Sequence, residues 1–206
     1  ALNGGNCHGK LPKVKFACLQ GRAVMNCGNG WVDVADASGG QFGPDPSEVF
    51  ESWSAFLEFA SACDAPGTIS PQEAWDPPSP RPRQVVAVGA NYTQHAHEMG
   101  LAPRGDLMVF TKFPSSLVGS GAVVRQPTRT VDWEVELVVV VGHRMWQVPA
   151  SVAWDHVAGV TVGQDLTDRH AQFEGDAGQY SLSKSFPAAS PEGPYLVTPD
   201  ALAHRD

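Results

Sequence analysis

The sequence predicts a mixed α/β protein dominated by strands, with a small N-terminal α+β domain ahead of a larger, sheet-rich domain whose helices are short. Three observations predict it. Residues 13–36 alternate apolar and polar side chains around the turn signal NCGNG, the two-residue period of half-buried strands. Residues 46–60 change to a helical period. Residues 131–142 (VDWEVELVVVVG) and 157–168 (VAGVTVGQDLTD) are long runs rich in valine, a residue that suits a pleated surface.

Taken in order, VKFACL, RAVMNC and GWVDVAD read as short antiparallel strands joined by tight turns. In GPDPSEVFESWSAFLEFASA, Asp45 is the expected N-cap, Pro46 suits the first helical position, and Glu48 stands three residues after the cap. Val49, Phe50, Trp53, Phe56, Leu57 and Ala60 fall on one helical face, the signature of core packing. DPPSPRPR (76–83) holds four prolines in eight positions and predicts a stiff extended linker. The expected domains are therefore 1–75 and 84–206. Beyond the linker, QVVAVGANY is a strand entering a turn, and HAHEMG suits a single helical turn. DLMVFTKFPSSLVGSGAVVRQP is mixed strand and loop. PASVAWDHVAG is expected to be a short helix with Ser151 as its N-cap.

Composition narrows the function. The chain has 206 residues, 42% of them hydrophobic, enough for one large core or two small ones. Its net charge is −8 and no stretch is a run of Lys and Arg, which argues against a nucleic-acid partner. No apolar stretch is long enough to cross a bilayer, and the first residues, ALNGGNCHGKLPKVKF, contain no signal-peptide hydrophobic region. Cys7, Cys18, Cys27 and Cys63 match neither a disulfide framework nor a CxxC metal site. Free thiols in a reducing cytoplasm are the expectation.

The acids of VDWEVELVVVVG need a reason. On a strand, Asp132, Glu134 and Glu136 share one face with Val138 and Val140, while Trp133, Val135, Leu137 and Val139 take the other. Like charges side by side repel, and burying them is costly. A solvated edge strand is the bland reading. A divalent cation is the functional one, because carboxylates are hard oxygen ligands. The unbroken valine run and the acid that ends VAGVTVGQD, Asp165, favour the cation. Glu134, Glu136 and Asp165 would form an open three-carboxylate site with room for water and substrate, suited to Mg²⁺ or Mn²⁺ rather than zinc.

GANYTQHAHEMG, FTKFPSSLVGSG, VDWEVELVVVVG, VAGVTVGQDLTDRHAQ and GQYSLSKSFPAASPEGPYLVTPD occur in that order. Together they resemble the catalytic domain of the fumarylacetoacetate hydrolase superfamily over about residues 84–200. The likeness is to bacterial two-domain members such as acylpyruvate hydrolases and 2-hydroxyhepta-2,4-diene-1,7-dioate isomerases. The resemblance implies a rolled mixed β-sheet. It maps the family's metal ligands onto Glu134, Glu136 and Asp165, leaving Asp132 as a neighbour, and its lysine beside the substrate onto Lys184. It maps a His-x-x-Glu pair on a lid onto His95 and Glu98, with His95 as the base that activates water and Glu98 orienting it. Arg169 and Gln172 are implied as substrate contacts, and Lys112 and Tyr92 as pocket residues.

The implied reaction is metal-dependent hydrolysis of a carbon–carbon bond in a 1,3-diketo acid such as an acylpyruvate, through an enolate. Decarboxylation of oxaloacetate and isomerisation of a hydroxydienoate use the same enolate chemistry and stay open. So does a third class, a non-catalytic relative that keeps the fold. The implied partner is a small keto acid, with no nucleic acid or membrane, and the family's habit implies a homodimer. Relatives carry several further strands after the VTPD motif, including a Gly-Asp turn and a T-G-T-P segment. A further segment is therefore expected in the functional protein, and without it the valine-rich strand should expose an apolar face and an unpaired edge.

Overall fold

The computed structural model describes residues 13–72, 74–92 and 107–203. It opens with the expected antiparallel meander: β1 (Lys15–Leu19), β2 (Arg22–Asn26) and β3 (Trp31–Asp33). Gln20 and Gly21 join the first two strands with both φ angles positive, the two-residue turn whose twist matches that of a hairpin. The short helix α1 (Val34–Ala37) follows, capped by Asp33.

Asp45 caps the next helix through the amide of Ser47, with Pro46 at the first position, as its sequence predicts. The helical stretch is not continuous. It divides at Ser52 into α2 (Pro46–Glu51) and α3 (Trp53–Ala62). The apolar stripe survives the break: Val49, Trp53, Phe56, Leu57 and Ala60 are all buried. Phe16 of β1 meets this stripe with its ring set edge-on to Phe50, Trp53 and Phe56, at centroid distances of 5.2, 5.6 and 5.5 Å.

The remaining strands are β4 (Val85–Gly89), β5 (Met108–Lys112), β6 (Leu117–Val118), β7 (Val131–Asp132), β8 (Val135–Val141), β9 (Val157–Gln164), β10 (Thr167–Asp168) and β11 (Ser190–Val197). The main sheet runs β3-β2-β1-β11-β9-β8, with β6 paired to β11. Strands from both sides of the proline-rich segment thus share one sheet, joined where Phe16 stands opposite Leu196. The core under α3 draws on both parts: Ala158 and Leu196 are buried with Phe16, Met25 and Trp53. β4 with β5, and β7 with β10, form two separate two-stranded ribbons.

The proline-rich segment is tied down at several points. The Trp75 indole donates to the carbonyl of Gln72. Asp76 accepts from the amide of Gly21 at 2.7 Å, and Arg81 pairs with Asp45. A Cβ on Gly119 would lie 1.7 Å from the Trp75 carbonyl oxygen, so this backbone crossing requires glycine.

Three local expectations change. VDWEVELVVVVG is not one strand: Trp133 and Glu134 separate β7 from β8. β8, whose valine run argues from sequence against a solvated edge strand, is the last strand of the sheet among the described residues. Val135, Leu137, Val139 and Val141 are 45–56% exposed on its outer face, with Trp133 at 68%. Finally, Ala150–His156 is a 3₁₀ helix preceded by Pro149, with no side-chain cap, so Ser151 does not cap it.

Candidate active site

The chemistry-bearing side chains gather where β8 and β9 end. Opposite residues of these antiparallel strands share a face, and Glu136 stands opposite Gly163. One step further the amide of Asp165 donates to the carbonyl of Glu134 at 2.8 Å. The two-residue period therefore puts Glu134 and Glu136 on one side of β8, and the register brings Asp165 beside Glu134.

Lys184 closes the cluster. It caps the C-terminal end of the short helix Tyr180–Ser183 and is 3% exposed. Its Nζ donates to Glu134 Oε2 at 2.8 Å, to Asp165 Oδ2 at 2.8 Å and to Thr167 Oγ1 at 2.7 Å. All three ammonium protons therefore have acceptors, which is what a buried charge requires. The Phe110 ring covers the ammonium, its centroid 5.5 Å away.

Two more cations flank this point. Lys112, at the end of β5 and also buried, donates to Asp165 Oδ1 at 2.5 Å and to the Ala189 carbonyl at 3.3 Å. Burial pulls its pKa below the usual lysine value, and the charge of Asp165 opposes that fall. Arg169 reaches Glu134 Oε1 at 2.6 Å and Asp132 Oδ2 at 2.9 Å through Nη2, and Gln172 Oε1 at 3.1 Å through Nη1. The hydrogen bonds from Arg169 hold the Asp132 carboxyl below the usual range.

Asp168 fixes the segment that carries Arg169. It caps the helix Arg169–Phe173 through the amides of His170 and Ala171. It also accepts from Thr128 Oγ1 at 2.9 Å and Thr130 Oγ1 at 2.8 Å. Burial drives its carboxyl up, but these hydrogen bonds outweigh burial and leave it below the usual range.

The residues predicted from sequence are therefore placed as follows. Glu134, Asp165, Lys184, Arg169, Gln172 and Lys112 form one connected network. Glu136 lies half-buried on the same face of β8. Tyr92 is 49% exposed and, among the described residues, joins no hydrogen bond of this network. His95 and Glu98 lie outside the described residues. Thr167 and Asp168 were not singled out in the sequence. The first was findable, since Thr167 stands two residues after Asp165 on an extended segment. The role of Asp168 depends on the distant Thr128 and Thr130.

The metal expectation meets a mixed result. Among the described residues, no three His, Cys, Asp or Glu side chains form a ready cluster for an ion. Yet Glu134 Oε2 and Asp165 Oδ2, which flank the ends of β8 and β9, converge to 2.8 Å on a single positive centre. The donor set is all oxygen and suits a hard cation such as Mg²⁺ or Mn²⁺. Two of the three expected carboxylates, Glu134 and Asp165, thus converge with the oxygen chemistry a hard cation needs, and the Lys184 ammonium stands at their point of convergence.

Residues 84–206, more than half of the chain, match the family model described as the C-terminal domain of fumarylacetoacetate (FAA) hydrolase. Among curated proteins, the human protein named oxaloacetate tautomerase FAHD2A, mitochondrial, is 41% identical over 128 residues, which cover 61% of this chain and 41% of that one. The chain thus spans less than half the length of this relative. Among solved structures, a protein from Mycobacterium smegmatis provisionally designated HpcE superposes with a TM-score of 0.86 at 46% identity, covering 92% of this chain and 68% of that one. The fumarylacetoacetate hydrolase of Exiguobacterium antarcticum superposes at 0.72 with 29% identity, covering 92% and 68%. Both likenesses bear out the strand-dominated mixed α/β architecture. No helix among the described residues is long and apolar enough to cross a membrane.

Proposed function

The chain belongs to the fumarylacetoacetate hydrolase family, and on that premise we propose that it cleaves a 1,3-diketo acid of the acylpyruvate type through an enolate formed at the Lys184 cluster. One observation carries the reading. The buried Lys184 ammonium is held between carboxylates that flank the ends of β8 and β9, with a guanidinium alongside. Such a site is built for charge that appears on oxygen during reaction, because its positive groups are positioned in advance and shielded from water.

Glu134, Glu136 and Asp165 are the residues that would hold Mg²⁺ or Mn²⁺, whose contribution when bound is Lewis-acid polarisation of a keto oxygen. The chain's own groups do the rest. Arg169, steadied by Asp132 and Gln172, presents a fork suited to the substrate carboxylate. Lys184 offers a cation to the enolate oxygen. To His95 and Glu98 the resemblance assigns the remaining step, taking the proton from the attacking water and returning one to the enolate carbon. The attacked carbonyl leaves as a carboxylic acid and the remainder as pyruvate.

A second reading, proton transfer between keto and enol forms of oxaloacetate, is favoured by the name of the human relative at 41% identity. It uses the same cluster and no attacking water. Both readings are tested by supplying acetylpyruvate and oxaloacetate with Mg²⁺ and then with EDTA. Release of pyruvate and acetate supports hydrolysis. Faster decay of enol absorbance on oxaloacetate, without release of carbon dioxide, supports the tautomerase. Glu134→Gln should lower either activity by about 100-fold or more, since it removes a charge that positions Lys184 and Arg169. No metal-dependent turnover of either substrate would overturn the proposal.

A further inference from the structure

Away from the active site, the fold brings together two thiols that the sequence leaves 36 positions apart, Cys27 and Cys63. Cys27 follows β2 at the turn into β3, and Cys63 is the residue that ends α3. After burial, Cys63 is the neighbouring group that raises the Cys27 thiol. Cys27 Sγ also lies 3.7 Å from Met25 Sδ. Both cysteines are free and only partly buried, at the rim of the core that holds Phe16, Met25 and Phe56.

The backbones on either side are fixed relative to one another. Gly67 donates to the Asn29 carbonyl at 2.8 Å, and Thr68 donates to the Trp31 carbonyl at 2.9 Å. The Asn29 side chain donates to the Asp64 carbonyl at 3.4 Å. A Cβ placed on Gly30 would come within 2.9 Å of Gly67 Cα, so the two segments cross in close contact. Asn29 and Asp64, two positions and one position beyond the cysteines, are thus held together, which brings the two thiol-bearing segments side by side.

We propose that Cys27 and Cys63 are a modification site: under peroxide they form a disulfide that clamps the β2–β3 turn to the end of α3. The sulfur of one thiol attacks a peroxide oxygen, giving a sulfenic acid and water. The sulfur of the second displaces that hydroxyl as another water and forms the S–S bond. Peroxide is reduced to two waters, and the protein loses two hydrogen atoms. Thiol reductants reverse the step. Burial, with the neighbouring Cys63 adding to it, pushes the Cys27 thiol up to about 11. Little thiolate exists near neutrality, so the crosslink forms slowly there and faster as pH rises. Cys18 stands apart: it is buried and directed to Asp76 Oδ2 at 3.6 Å.

The test treats the 206-residue chain with hydrogen peroxide, blocks remaining thiols by alkylation, and digests it with chymotrypsin. Chymotrypsin is needed because no Lys or Arg lies between the two cysteines, whereas Trp31 and Phe59 do. The expected product is a Cys27–Cys63 crosslinked peptide pair, lighter by two hydrogen atoms than the separate peptides. It should vanish in Cys27→Ser and Cys63→Ser and persist in Cys18→Ser. The urea midpoint of the oxidised chain should exceed that of the reduced chain, because the bond restricts the unfolded state. Alkylation of both thiols after peroxide, their recovery as separate oxygen adducts, or pairing with Cys7 or Cys18 would overturn the site. Equal urea midpoints would overturn the clamp.

Discussion

Glu192 offers a sharp test of how burial acts in this fold. It stands on β11 opposite Gly163, is 7% exposed, and its Oε1 has no hydrogen-bond partner among the described residues. Burial pushes its carboxyl from 4.5 up to about 7, against a single lowering hydrogen bond from the backbone of Ser79. Below about pH 4.5 the group is protonated both folded and unfolded, and it has no effect on stability. Between about 4.5 and 7 the unfolded chain releases a proton that the folded chain keeps, so stability falls as pH rises. Above about 7 the whole cost is present. At roughly 1.4 kcal/mol per pH unit, that cost is about 3 kcal/mol.

Glu192→Gln keeps the shape and an acceptor for Ser79 but removes the ionisation. Its new amide hydrogens lack partners, a loss of roughly 1 kcal/mol or more. The variant should therefore be about 1–2 kcal/mol more stable than the parent at pH 8, with the gain gone by pH 5. Urea denaturation of both proteins from pH 4.5 to 8 reads this directly. Other carboxylates titrate alike in the two proteins, so the difference isolates Glu192. Parallel pH profiles, or a variant weaker at pH 8, would refute the reasoning.

Two further outcomes follow from the packing and the site. Phe16→Ala removes the ring that Phe50, Trp53 and Phe56 surround, and should lower unfolding free energy by about 3–5 kcal/mol in urea denaturation. Asp168→Ala removes the cap of the helix Arg169–Phe173 and two threonine contacts. It should cost about 1–2 kcal/mol of stability. Because it loosens Arg169, it should raise KM more than it lowers kcat, whereas Asp168→Asn should recover much of both.

Much of this protein was legible in its sequence because the relevant forces are local. The hairpin of β1 and β2 follows from two short apolar runs joined by a turn, although both strands are buried on both faces rather than half-buried as the alternation predicts. The N-cap of α2 follows from Asp45 and Pro46 being adjacent. The sharing of one strand face by Glu134 and Glu136 follows from a period of two, and needs no partner strand. The resemblance of residues 84–200 likewise lay in ordered motifs, and it named six of the residues that the fold joins into one network.

Tertiary structure decided what depends on register and on distant contacts. Whether Asp165 lies beside Glu134 is set by the pairing of β8 with β9, and a one-residue slip would turn it to the other face. Lys112 is 53 positions from Asp165, and only the placement of β5 makes it that carboxylate's partner. The valine run argues from sequence against a solvated edge strand, but exposure is a property of neighbours, and among the described residues β8 pairs with β9 alone in the main sheet. Cys27 and Cys63 are unrelated by spacing, and only the fold brings their segments side by side, because the end of α3 lies against the β2–β3 turn. Residue type and period fix what a segment can do on its own. Which charges, thiols and apolar faces meet is fixed by long-range packing, which no local pattern encodes.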